Sequence, residues 1–200
     1  MKTYNFEQGS AEWLKVRLGK FTASHAQAIQ ANGAGLKTLV FEKVAEILTQ
    51  KKPEQYINSD MERGNELEAE ARTSYELDTG NQVKEVGFCE LNQYVGASPD
   101  GLISDDGLVE FKCPNDKVFT EFLYTKKVDT KYIAQMQMQM FVTDRKWCDY
   151  VIYNPDFPTP VVITRIERDE KAIEKIKIGL STGELMVKKI LEEIKWEEYH

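Results

Sequence analysis

This sequence predicts one α/β domain in which a central mixed sheet is flanked by helices, and three observations predict it. Apolar residues recur at helical spacing through much of residues 10–77. The period then switches to short stretches between Val83 and Cys113, separated by turn signals. Helical segments return near Lys117, followed by two more strands and a long closing helix. Such an order places helices against a sheet in layers, and 200 residues suit a single domain covering 1–200.

Ser10 can cap a short helix from Ala11 to Leu18, which Gly19 ends. Thr22 or Ser24 starts a second helix through Ala28 and Ile29, and Gly33-Ala34-Gly35 breaks it. Leu36, Leu39, Val40, Val44, Ile47 and Leu48 mark a third. A fourth covers about Asp60 to Leu77, with Leu67, Ala71 and Tyr75 four residues apart and Gly80 as its stop. Val83–Leu91, Tyr94–Ile103 and Leu108–Cys113 read as strands, joined at Asn92-Gln93 and Asp105-Asp106-Gly107. Helices follow at about Lys117–Thr125 and Tyr132–Val142. Trp147–Tyr153 and Val161–Ile166 read as strands around a proline-rich turn, and an amphipathic helix starts near Asp169.

The composition is that of a folded, water-soluble protein: 42% apolar, 30% charged, with nine Tyr, nine Phe and three Trp. No apolar run is long enough to span a bilayer, and the first residues lack the apolar core of a signal peptide. Cys89, Cys113 and Cys148 are odd in number and far apart, as expected of reduced thiols in a cytosol. With only His25 and His200 and no Cys-x-x-Cys, a zinc or iron–sulfur site is not expected. A net charge of −7 argues weakly against a nucleic-acid partner, but local fields and bound cations count for more than the total. The acidic run Leu191–Glu198 reads as a solvated helix face.

The chemistry centres on Ser98-Pro99-Asp100-Gly101 and, ten residues beyond Asp100, Glu110-Phe111-Lys112. On a strand, side chains alternate, so Glu110 and Lys112 share one face while Phe111 enters the core. A hairpin turning at Asp105–Gly107 brings Asp100 beside Glu110. Two carboxylates so placed repel unless a cation lies between them, and oxygen ligands suit magnesium. Lys112 can orient or help deprotonate a water there, since a buried lysine near cations has a lowered pKa. Taken alone, the pattern also fits a turn followed by a surface ion pair.

Three further segments add weight. Glu68 lies on the helix before the sheet, though Glu66 or Glu70 serve equally by spacing, and Gly64 hints at a close approach there. Arg17, with the helix start at Thr22–Ser24, can hold a phosphate through N–H groups and hydroxyls. Gln135 and Gln139 share one helix face beside a methionine stripe, and a glutamine facing a phosphate can donate a hydrogen bond.

Together these segments resemble the bacteriophage lambda exonuclease family, the YqaJ-type viral recombinase nucleases of the PD-(D/E)xK superfamily. The resemblance runs from Trp13 to about Lys171. It is carried by Trp13, Arg17, Gly19 and Thr22-Ala23-Ser24; by Gly64, Glu68, Ala71 and Arg72; by Ser98-Pro99-Asp100-Gly101-Leu102 and Glu110-Phe111-Lys112-Cys113-Pro114; and by Tyr132, Ala134, Gln135, Gln137 and Ile166–Lys171. It implies a restriction-endonuclease-like core. Asp100, Glu110 and the Phe111 carbonyl would bind magnesium, with Glu68 assisting, two ions per site and manganese able to substitute. Lys112 would position the attacking water, Gln135 would be the active-site glutamine, and Arg17 and Ser24 would hold a 5′-phosphate.

The activity so implied is 5′-to-3′ digestion of one strand of linear double-stranded DNA to mononucleotides, leaving 3′ overhangs. The resemblance also implies a homotrimeric ring, a single-strand annealing protein as partner, and a bacterial or phage-infected host cytoplasm. Residues 30–37, with Lys37, offer a short loop where the family places a segment that wedges the duplex open. Competing readings are a structure- or sequence-selective endonuclease of the same fold and a non-catalytic DNA-binding or annealing module. A pocket for a terminal phosphate disfavours the first; an intact Asp100, Glu110 and Lys112 set disfavours the second.

Overall fold

The computed structural model describes residues 1–51 and 59–194, without the side chains of 59–62, 64 and 65. The surroundings of Gly64 and the end of the acidic run at 195–198 therefore lie outside the described residues. Among the described residues, nine strands and seven α-helices alternate in the expected sense, but the strands divide into two sheets. Strands β1 (Lys2–Tyr4), β2 (Phe21–Thr22), β4 (Phe88–Asn92) and β5 (Val95–Ala97) form one, in the order β1-β4-β5-β2. Strands β3 (Val83–Lys84), β6 (Gly101–Ile103), β7 (Gly107–Lys112), β8 (Trp147–Tyr153) and β9 (Val161–Glu167) form the other, in that order. Both sheets are mixed, because β2 runs parallel to β5 and β7 runs parallel to β8.

The expected strand Val83–Leu91 is interrupted at 85–87, and Tyr94–Ile103 at 98–100, so each feeds both sheets. The second interruption is Ser98-Pro99-Asp100, and a proline has no N–H to give to a ladder. Asp100 thus lies just before β6, where Gly101 pairs with Val109.

Ser10 caps α1 (Ala11–Val16), its side chain accepting from the Trp13 N–H. Gly19 follows at φ +70°, a left-handed turn that suits glycine; a Cβ there would lie 2.5 Å from Ile47 Cγ1. The second expected helix is a 3-10 turn (Ala23–His25) running into α2 (Ala26–Ala31), and α3 covers Ala34–Thr49. The loop expected over residues 30–37 shrinks to Asn32 and Gly33, and Lys37 is exposed in the first turn of α3. Helix α4 covers Ser59–Thr79, α5 Asp116–Thr125 and α6 Thr130–Thr143. Helix α7 (Glu170–Glu193) is capped by Asp169. Its Gly179 passes so close to α2 that a Cβ would strike the Ile29 carbonyl.

Two apolar clusters sandwich the five-stranded sheet. On one face, Leu108, Cys148, Tyr150 and Ile152 pack with Met136, Met138 and Met140 of α6 and Phe119 and Phe122 of α5. On the other, Val109, Phe111 and Val151 pack against Ala71 and Tyr75 of α4. Each fully buried methionine contributes roughly 1.5–3 kcal/mol through the apolar surface it removes from water. Cys89, Cys113 and Cys148 are free and buried. Among the described residues no helix is long and apolar enough to cross a membrane.

Candidate active site

Strand β7 presents the expected alternation. Leu108 and Glu110 face α6, whereas Val109 and Phe111 face α4, with the Phe111 ring edge-on to Tyr75 at 6.0 Å. The hairpin β6–β7 returns Asp100 to Glu110, and Asp100 Oδ2 accepts from the Phe111 N–H at 2.7 Å.

Glu110 is 1% exposed, and both carboxylate oxygens are engaged. Oε1 accepts from Lys112 Nζ at 2.5 Å and from Gln135 Nε2 at 2.6 Å. Oε2 accepts from Gln139 Nε2 at 2.7 Å. Lys112 Nζ also donates to the Phe111 carbonyl at 2.9 Å and lies 5.3 Å from the centre of the Tyr132 ring, which stacks on Tyr150.

Asp100 and Lys112, both half-buried, line a cleft. Burial, and then repulsion from Glu110 and Glu68, push the Asp100 carboxyl well above the usual carboxylate range despite Lys112. Burial alone would lower the Lys112 pKa, but attraction to Glu110 and Asp100 outweighs it and raises the pKa. The expectation of a lowered lysine supposed cations beside it; its neighbours in this arrangement are carboxylates, which hold the ammonium charged.

Glu68 lines the same cleft, while Glu66 and Glu70 are exposed and Glu70 accepts from the Tyr153 hydroxyl at 2.7 Å. The fold thereby selects Glu68 from the three candidates. Its pKa is raised, chiefly by burial, with Arg72 and Lys112 opposing. Among the described residues no three His, Cys, Asp or Glu side chains converge as a ready-made metal cage. Asp100, Glu110 and the Phe111 carbonyl nonetheless suit magnesium, an oxygen-seeking ion that keeps several of its waters. The Lys112 ammonium already bridges two of these three oxygen groups, which marks their shared space as a place for positive charge.

At the other end of the cleft, the Arg17 guanidinium stacks 4.0 Å from the Trp13 ring, with Phe88 beyond at 5.8 Å. Its Nη1 donates to Ser98 Oγ at 2.9 Å and Nη2 to Thr22 Oγ1 at 3.4 Å. The Nε is buried without a hydrogen-bond partner. Burial pulls the Arg17 pKa down to about 10, with Glu46 opposing from behind. Ser24 lines the cleft, its hydroxyl 3.2 Å from Thr22 Oγ1. Trp13 donates its own Nε1–H to Gly87 O and Ser98 Oγ.

One cleft of about 700 Å³ unites Arg17, Ser24, Glu68, Asp100, Glu110, Phe111, Lys112 and Gln135, whereas Gln139 bonds Glu110 without lining the cleft and Lys37 is exposed on α3. Sequence reasoning assigned no individual role to Ser98, Trp13 or Tyr132, and offered Gln139 only beside Gln135, as a donor to phosphate. Ser98 stands inside a quoted motif, and Gln139 one turn from Gln135, so both carried a signal that spacing alone does not resolve.

Comparison with known proteins bears on the family and the fold. Residues 12–146 match the YqaJ-like viral recombinase domain family. The alkaline exonuclease LHK-Exo from Laribacter hongkongensis is similar at 38% identity over 95% of this chain and 98% of that one, with a TM-score of 0.87. The same values hold for its complex with dAMP. A phage-related exonuclease from Haemophilus somnus 129PT shares the fold at 18% identity, over 88% of this chain and 96% of that one, with a TM-score of 0.69. No curated protein matches the chain.

Proposed function

Because the chain belongs to the YqaJ-like viral recombinase family, we propose that it is a DNA exonuclease that degrades one strand of linear duplex DNA from its 5′ end. A single observation carries this reading. The cleft that holds Asp100, Glu110 and Lys112 also holds, in the Arg17 guanidinium, a buried cation with an unpartnered N–H. A 5′-phosphate is a natural ligand for such a group, because a guanidinium matches phosphate oxygens with a planar fork of donors. Similarity to an alkaline exonuclease supports the exonuclease part of this reading.

Asp100, Glu110 and the Phe111 carbonyl would hold magnesium or, in its place, manganese, two ions per site with Glu68 assisting. The metal supplies positive charge against the scissile phosphate and makes water a stronger nucleophile near neutral pH. Lys112, held by Glu110 and the Phe111 carbonyl, points its ammonium at the reacting region and orients the attacking water. The Gln135 amide, fixed on Glu110 Oε1, has cleft-facing hydrogen-bonding capacity for a phosphate oxygen. Arg17, steadied by Trp13 and Ser98, anchors the terminal phosphate, and Ser24 adds a hydroxyl. One end-anchored nucleotide then leaves per cycle, and the complementary strand remains as a 3′ overhang. A homotrimeric ring around the duplex and a single-strand annealing protein downstream complete the proposal.

The test is digestion of linear and closed circular duplex DNA with magnesium and with chelator. The expected result is release of mononucleotides from linear DNA only, and only with metal. Equal cutting of closed circles would replace this reading with an endonuclease.

A further inference from the structure

Helix α6 offers Glu110 two amides, one turn apart, and they do different things. Gln135 lines the cleft and bonds Oε1, the oxygen that Lys112 also takes. Gln139 is 0% exposed and bonds Oε2 at 2.7 Å from the interior side. The amide can adopt only one orientation, because a carbonyl turned towards Glu110 would meet a carboxylate oxygen. In that orientation Gln139 Oε1 is left buried without a partner.

An unpaired buried carbonyl is a cost to the fold, and the same helix shows how it could be avoided. Met136, Met138 and Met140 are all fully buried, so apolar side chains of similar length already fill α6's inner faces. A glutamine at 139 has a use that a methionine lacks: it fixes one oxygen of Glu110.

We propose that Gln139 is a positioning residue of the metal site, whose amide locks Glu110 Oε2 so that Oε1 stays beside the Phe111 carbonyl and faces the cleft. The inference rests on the metal-dependent reading above. A carboxylate anchored at one oxygen cannot rotate about its last bond, and ligands held this way bind metal more tightly. Gln139 itself does not line the cleft, so DNA contact is left to Gln135 and Arg17.

The experiment measures Mn²⁺ binding by electron paramagnetic resonance, without DNA, in the wild-type protein and in Gln139→Met and Gln139→Leu. Metal-dependent digestion of linear DNA is measured in parallel. Both variants are expected to bind Mn²⁺ roughly 10- to 100-fold more weakly. The KM for DNA at saturating metal and the preference for a 5′-phosphate should stay within twofold of wild type. The metal-free Tm should change by only a few degrees, since a buried unpaired carbonyl is removed while Glu110 Oε2 loses its donor. Mn²⁺ affinity within twofold of wild type in a folded variant would overturn the inference, as would failure of both variants to fold, which would make Gln139 purely structural. A wild-type protein without metal-dependent nuclease activity would instead remove the functional reading on which the inference rests.

Discussion

At one end of the cleft, Glu110 is sealed from solvent with both oxygens bonded, and Asp100 leans on the Phe111 N–H. At the other end, Arg17 lies against Trp13 with its Nε buried and unbonded. The carboxylates are oriented by donors from their own chain, so their geometry is set before any ligand arrives. The guanidinium is held by stacking and by two hydroxyls, and no carboxylate pairs with it among the described residues. On the proposed reading, one end holds a shape and the other receives an anion. Charge alone does not separate these roles; what separates them is how fully each group's hydrogen bonds are met internally.

The largest expected effect comes from emptying the carboxylate end. Asp100→Ala should reduce digestion of linear DNA by at least about a thousand-fold, roughly 4 kcal/mol of transition-state stabilisation. It should leave the affinity for a 5′-phosphorylated end within a few-fold, as a gel-shift titration without metal can show. Loss of both together would mean that the two ends do not act separately.

A smaller and more selective effect is expected at Arg17. Arg17→Ala should reduce the preference for 5′-phosphate over 5′-hydroxyl ends by about 10- to 100-fold, the scale of hydrogen bonds to a charged group. The magnesium concentration that half-saturates activity should not move. Arg17→Lys should recover only part of the preference, because it keeps the charge and loses the fork. Competition between the two kinds of end in one reaction reads out each case.

The smallest effect concerns how the carboxylate end is braced. Asp149 is buried in β8, accepts from Arg165 Nε at 2.8 Å and Nη2 at 3.0 Å, and accepts from the Tyr75 hydroxyl at 2.8 Å. That last bond ties α4, and with it Glu68, to the sheet. Tyr75→Phe should lower stability by about 1–2 kcal/mol, or several degrees in Tm by calorimetry, with Mn²⁺ binding unchanged. A shift in Mn²⁺ affinity would show that the brace extends into the site.

Much of this was legible in the residues. Strand alternation at 108–113 correctly separated Glu110 from Phe111, and the turn at Asp105–Gly107 correctly returned Asp100 to it. Trp147–Tyr153 stands as expected, because every residue of this buried strand but Asp149 is apolar or aromatic. Strand β2 was not legible: it is two residues long, lies among helical periodicities, and exists because Phe21 and Thr22 pair with Val95 and Gly96. The same limit applies to the site. Gln139 meets Glu110 across 29 residues and Arg17 meets Ser98 across 81, distances that no local pattern encodes. Spacing could put Glu66, Glu68 and Glu70 on one helix; only the packing of α4 on the sheet turns Glu68 to the cleft.

The most direct measurement of the central claim, that the two ends of the cleft work together on a DNA terminus, is a time course on linear duplex DNA bearing distinct labels at its 5′ and 3′ ends. It is run with magnesium, with and without the 5′-phosphate. The expected result is release of the 5′ label as a mononucleotide in the first turnovers, faster with the phosphate, while the 3′ label stays in polymer. Early release of the 3′ label, or 5′ release that ignores the phosphate, would contradict it.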